Sequence, residues 1–202
     1  MKNIKLLAFI LLGTTMVLLS NCNDAKKKNE KKKHSEANIG LSYEELGLKY
    51  AMTTKGVLGK NLLTAINTKG TENALKFCSE KAYPLTDSMA ITLNARIKRV
   101  SDKPRNPKNT ASELELEYIS IYKKKIENGE IIKPKIQGIG NKMVGYYPIM
   151  TNKMCMQCHG KPNTNIESAV LNKINQLYPQ DKATGYDVNQ LRGIWVIEMD
   201  KK

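Results

Sequence analysis

The chain has 202 residues and a formal net charge of +14, from 33 Lys and Arg against 19 Asp and Glu. With an N-terminal signal and spacer set aside, about 165 residues remain, enough for one domain with its own hydrophobic core. The basic balance does not by itself point to nucleic acid, because the chain carries no Gly-rich phosphate loop and no recognition-helix motif.

Lys2 and Lys5 precede a 15-residue apolar stretch from Leu6 to Ser20. That is short of the about 20 residues a membrane-spanning helix needs and suits the apolar region of an export signal. Leu18-Leu19-Ser20-Asn21-Cys22 resembles a bacterial lipobox, although Asn21 replaces the usual small residue before the cysteine. The expectation is a signal over 1–21, a lipid on Cys22 and a basic tether over 22–40. A plain signal anchor with an incidental Cys22 is the competing reading. Acyl chains on Cys22 would hold the protein to a bilayer at about 0.8 kcal/mol per buried CH₂. Residues 23–36 hold six lysines and no large apolar side chain, so they cannot offset the entropy of ordering and read as a solvated spacer. The signal carries +2 and residues 23–36 carry +3, which leaves +9 on residues 37–202. A body of that charge would steer an acidic partner toward it. The location expected is the periplasmic side of an inner or outer bacterial membrane, where a protein meets little nucleic acid.

Residues 41–202 form the expected domain. Tyr43, Leu46, Tyr50, Val57, Leu58, Leu62 and Ile66 follow a 3.6-residue period, predicting a helix over 42–68 that Gly70 ends. Thr71 can cap a second helix bearing Ala74, Leu75, Cys78 and Ala82, which Pro84 interrupts. Residues 95–100 alternate as a strand, and 101–109 are turn chemistry with two prolines and two asparagines. A third, amphipathic helix is expected over Ala111–Asn128. Short strands follow at Ile131–Ile136 and Met143–Met150, then a helix near Ile166–Leu177. Leu191–Met199 is apolar and β-favouring, a central strand. Helices and strands mix without a βαβ rhythm, so the class is α+β with an antiparallel sheet. The closing strand argues against a four-helix bundle.

Cys155-Met156-Gln157-Cys158-His159 is a C-x-x-C-H run, the attachment signature of a c-type haem. One helical turn brings two thiols and an imidazole to the same side of a planar macrocycle, for two thioethers and one iron ligand. A thioredoxin-like pair and half a zinc site are the competing readings. Zinc would want four ligands, and His34 sits in the lysine run. Four cysteines in an exported chain ordinarily suggest two disulfides. Here Cys22 goes to lipid and Cys155 and Cys158 to haem, which leaves Cys78.

His159 supplies one axial ligand. For the other face, Met52, Met89, Met143, Met150 and Met199 are candidates, as is Cys78, which has Ala74 and Ala82 four residues to either side. Small residues around a thiol let a flat ring approach, but they equally let two helices pack over an inert cysteine. Spacing leaves this open. Arg96, Arg99 and Arg105 can pair with haem propionates or serve as ordinary surface and loop charge.

Ala74-Leu75-Lys76-Phe77-Cys78 with Ala82, Arg99 to Pro107 with Asn109, Tyr147-Pro148-Ile149, the haem run with Gly160, Tyr178-Pro179, and Gly185-Tyr186 before Leu191-Arg192-Gly193 form an ordered set. In that set the chain resembles a family of bacterial single-haem c-type proteins with a PAS-like fold and His/Cys axial ligation. The resemblance implies a five-stranded antiparallel sheet flanked by helices, with Cys78 and His159 as iron ligands. Family members are described as electron carriers or redox sensors. The resulting expectation is a low-potential electron carrier, with a haem-based redox or gas sensor as the alternative. Such a sensor would be expected to act through a separate partner. An enzyme such as a peroxidase is not expected, since one histidine is committed and no second acid/base group is evident.

Overall fold

The computed structural model describes residues 40–202. The expected signal, almost all of the expected tether, Cys22 and His34 lie outside the described residues. No helix among the described residues is long and apolar enough to cross a membrane.

Helix α1, Tyr43–Leu93, starts at a capping box in which the Glu45 backbone N–H donates to the Ser42 hydroxyl and the Ser42 N–H donates to the Glu45 carboxylate. Gly70 leaves helical geometry, at φ 78° and ψ 168°, and divides α1 into two arms. That break falls where the sequence places it, but Thr71 does not cap with its side chain and instead donates to Gln157 Oε1 at 2.7 Å. Pro84 does not interrupt the second arm, which runs on to Leu93. A proline inside a helix costs about 3 kcal/mol. Burial of Leu93, with Met89 and Ala90 packed on the same core, offsets it.

The sheet has four strands in the order β1-β4-β3-β2, all antiparallel: β1 Arg96–Val100, β2 Lys135–Ile139, β3 Lys142–Met150 and β4 Leu191–Asp200. Four strands among the described residues replace the five the resemblance implies. β4 is the buried central strand expected. β2 begins four residues later than expected. Pro134 has no N–H for the ladder, and Ile131 is exposed.

Side chains alternate across the sheet and give it two cores. Ile97, Tyr147, Trp195, Ile197 and Met199 face Leu46, Tyr50, Ala51 and Leu93 of α1. Val100, Val144, Tyr146, Ile194 and Val196 form the other core with Ile119 and Tyr122 of helix α2, Glu113–Glu127. After β3 come a 3₁₀ turn at Lys153–Cys155 and the one-turn helix α3, Met156–His159. Helix α4, Ser168–Leu177, buries Val170 and Ile174 against Leu75 on the second arm of α1. The described chain is α+β, helix over sheet over helix.

Candidate cofactor site

A cavity of about 330 Å³ lies between α1, one face of the sheet and the α3 turn. Both arms of α1 wall it: Leu58, Leu62 and Ile66 before Gly70, and Ala74, Leu75, Cys78 and Ala82 after it. The sheet adds Arg99, Ile149, Gly193 and Trp195, and the turn adds Cys155, Cys158 and His159. The kink at Gly70 therefore has a use, since it gives one helix two walls. Ala74, Cys78 and Ala82 share the face predicted from their spacing, and that face fronts the cavity.

The turn is built by its neighbours. Asn152 accepts from the Cys155 backbone N–H at 3.2 Å, starting the 3₁₀ turn directly after β3. Gly160 closes α3 by donating to Met156 O, at a position where a Cβ would lie 2.6 Å from that carbonyl. The main chain at Gly185 and Tyr186 donates to Gly160 O and His159 O. Arg105 donates to Cys158 O at 2.6 Å and forms a buried two-pronged pair with Asp181.

His159 has a defined tautomer. Its Nδ1 lies 2.7 Å from Ala183 O, and a carbonyl can only accept, so Nδ1 carries the proton and Nε2 is left with a free lone pair. Arg192 Nε, 3.4 Å from the same Nδ1, is therefore a charge neighbour and not a hydrogen-bond donor to it. Burial, with the charges of Arg105 and Arg192, holds the imidazole pKa well below its ordinary 6.5. His159 is neutral, the form that ligates metal. Burial pushes the Cys158 thiol up to about 11. It also raises Cys78, against the opposing charges of Arg99 and Arg105.

Cys78, Cys155 and Cys158 are free thiols. They and His159 line one cavity without gathering at one point: among the described residues no three His, Cys, Asp or Glu side chains could share a metal ion. That geometry disfavours the zinc reading. Of the methionines considered from the sequence only Met150 lines the cavity, with Met154 beside it.

The three arginines separate. Arg96 is exposed, pairs with Glu198 at 3.5 Å and does not line the cavity, so its suggested ligand role is withdrawn. The reason is pleat alternation: β1 turns Ile97 and Arg99 toward α1 and Arg96 away. Arg105 reaches the cavity but is committed to Asp181 and the turn. Arg99 reaches it with no carboxylate partner among the described residues, lying 5.5 Å over the Trp195 ring. The Trp195 Nε1–H is buried with no acceptor. An unmade buried hydrogen bond of that kind costs about 1–3 kcal/mol.

Sequence reasoning does not single out Arg192, Asp181 or Trp195 for the site. Arg192 donates to Ser101 Oγ at 2.9 Å and to Lys103 O at 3.1 Å, which fixes its charge beside His159. Its signal was available: it is the one cation in the central strand.

Fold and site together define an α+β protein with a thiol- and imidazole-lined cavity between a kinked helix and an antiparallel sheet. The chain matches the Tll0287-like family (Tll0287) over residues 19–199 and belongs to it. It is also similar in structure to the crystal structure of the cyanobacterial heme-protein Tll0287. The TM-score is 0.59 at 20% identity, over 80% of this chain and 98% of that one. A likeness at that identity is one of fold. No curated protein matches the chain.

Proposed function

We propose that the chain is an exported, membrane-anchored mono-haem c-type protein working in low-potential electron transfer. Its PAS-like domain would carry a haem on thioethers from Cys155 and Cys158, with His159 and Cys78 as axial ligands. One observation carries the reading. The two thiols and the histidine of the C-x-x-C-H turn line the same cavity as Cys78, which comes from a separate element. The structurally similar cyanobacterial protein, a heme-protein by its name, supports it. The residues fit the group. Aliphatic walls suit a porphyrin, the free lone pair of His159 Nε2 suits iron, and the small Ala74 and Ala82 leave room beside Cys78.

When bound, the haem supplies a one-electron couple at iron. His159 holds its position through Ala183 O, and the apolar walls exclude water. A Cys78 thiolate would donate charge to the iron and favour its ferric state, so the midpoint potential would lie well below that of a His/Met cytochrome. The lipid on Cys22 would keep the protein at the membrane, and the +9 of the body favours an acidic redox partner. No enzymatic activity is proposed.

A redox or gas sensor is the second reading, and one contact favours it. Gln157, between the two haem-run cysteines, accepts from Thr71 beside the Gly70 break. Movement of the turn would thus pull on the junction of the two arms of α1.

Ferric and ferrous optical spectra of wild type and Cys78→Ala test the ligation. The proposal expects both to change in the variant. Spectra identical to wild type would rule out Cys78 and leave Met150 and Met154, which line the cavity, as the candidates.

A further inference from the structure

Arg99 and Trp195 face each other across the β1–β4 ladder as a register pair, both on the sheet face that walls the cavity. Each carries an unmet demand of the same kind. Arg99 has a guanidinium and no carboxylate partner among the described residues. Trp195, 3% exposed, has an indole N–H that is buried without an acceptor. Four of the neighbouring cations are engaged: Arg105 by Asp181, Arg192 by Ser101 and Lys103 O, Lys103 by Thr184 O and Arg96 by Glu198. Lys55, the other cation on the cavity wall, is exposed on α1, whereas Arg99 and Trp195 lie together on the sheet. Two donors and one positive charge at one place on an otherwise largely aliphatic wall specify an anion with at least two acceptor oxygens, which describes a carboxylate.

Resting on the haem reading above, we propose that Arg99 and Trp195 form a two-donor receptor for one haem propionate. The guanidinium lies over the indole ring, 5.5 Å from its centroid. A carboxylate entering the cavity draws Arg99 onto one oxygen and offers the other to Nε1–H. Ring and guanidinium stay stacked, so the cation–π contact persists as the charge is neutralised.

Resonance Raman spectroscopy of the purified holoprotein reads this directly, because propionate bending bands fall in frequency when their hydrogen bonds are removed. Three variants are compared with wild type: Arg99→Leu, Trp195→Phe, which keeps an aromatic ring in place, and Arg96→Leu as the control outside the cavity. The expected result is a downshifted propionate band in Arg99→Leu and in Trp195→Phe, with the wild-type frequency in Arg96→Leu. A wild-type frequency in Trp195→Phe overturns the receptor whatever Arg99→Leu shows. The same holds if both variants match wild type because a free anion such as acetate occupies the two donors. A wild-type preparation with no haem bands at all overturns the cofactor reading itself, and is told apart by its featureless visible spectrum.

Discussion

At His159 a single carbonyl decides which ring nitrogen is free. Ala183 O accepts from Nδ1, and Ala183 is held in turn by the Asp181 carboxylate that pairs with Arg105. Arg105 also donates to Cys158 O and Ala183 O, so one buried ion pair ties the haem-run turn to the segment that orients its histidine. The Arg105 and Asp181 side chains are only 10% and 7% exposed, so removing one partner strands a buried charge. Asp181→Asn is expected to lower unfolding free energy by about 3 kcal/mol in urea titrations. A wild-type midpoint would mean that the pair does not brace the turn. The C-x-x-C-H residues were legible because chemistry fixes their spacing. Asp181 and Ala183 were not, since an ordinary acid and a backbone carbonyl carry no local signal.

Helix α1 is the element that makes the cavity, and its docking rests on a close approach. A Cβ on Gly47 would lie 2.0 Å from the hydroxyl of Tyr147, which sits against the Tyr43 and Glu44 carbonyls of the first turn. Gly47→Ala is expected to cost about 1–3 kcal/mol, and less in a Tyr147→Phe background that removes the nearest atom. Equal costs in both backgrounds, measured by chemical unfolding, would refute this contact.

Helix α2 is fastened to β1 by the buried Glu115, 2.6 Å from Lys98 Nζ. Burial opposes the charge of Glu115, but the bonds from Lys98 and Ser112 outweigh it and the pKa falls below its ordinary 4.5. A depressed carboxylate stabilises above the unfolded-state pKa and stops doing so as pH falls through the folded-state value. Glu115→Gln should therefore be about 1–2 kcal/mol less stable than wild type at pH 7, the half-exposed lysine limiting the effect. That gap should close in acid below pH 4.5, and a gap independent of pH would show that the ionised carboxylate is not what matters. At this scale the sequence showed the helices and the central strand through their periods. It misjudged Pro84 and the start of β2, because tertiary packing carried the helix past one proline while Pro134 delayed the ladder.

At the scale of the whole described domain, residues 40–202, the fold is a sandwich whose two cores have different uses. The α2 side is packed around Ile119 and Tyr122, with a smaller cavity of about 220 Å³ beside Leu114 and Glu115. On the α1 side the core divides, with Leu46, Tyr50, Leu93 and Ile197 closing one end while the arms flanking Gly70 hold the other open. Composition and periodicity could indicate an α+β domain but not this opening, because a cavity is set by how one helix bends over the sheet. Trp195 is the chain's sole tryptophan and lies in the cavity wall, so it reports on occupancy. Its fluorescence should be strongly quenched in the haem-loaded protein relative to the Cys155→Ala, Cys158→Ala double variant. Comparable emission from the two would place any haem far from this cavity.

Intact-mass measurement on the mature chain, expressed with a working haem-attachment apparatus, bears most directly on the account. The prediction is the polypeptide plus one haem, with a pyridine haemochrome of the two-thioether type, both lost in the Cys155→Ala, Cys158→Ala variant. A colourless chain at the mass of the bare polypeptide would contradict it.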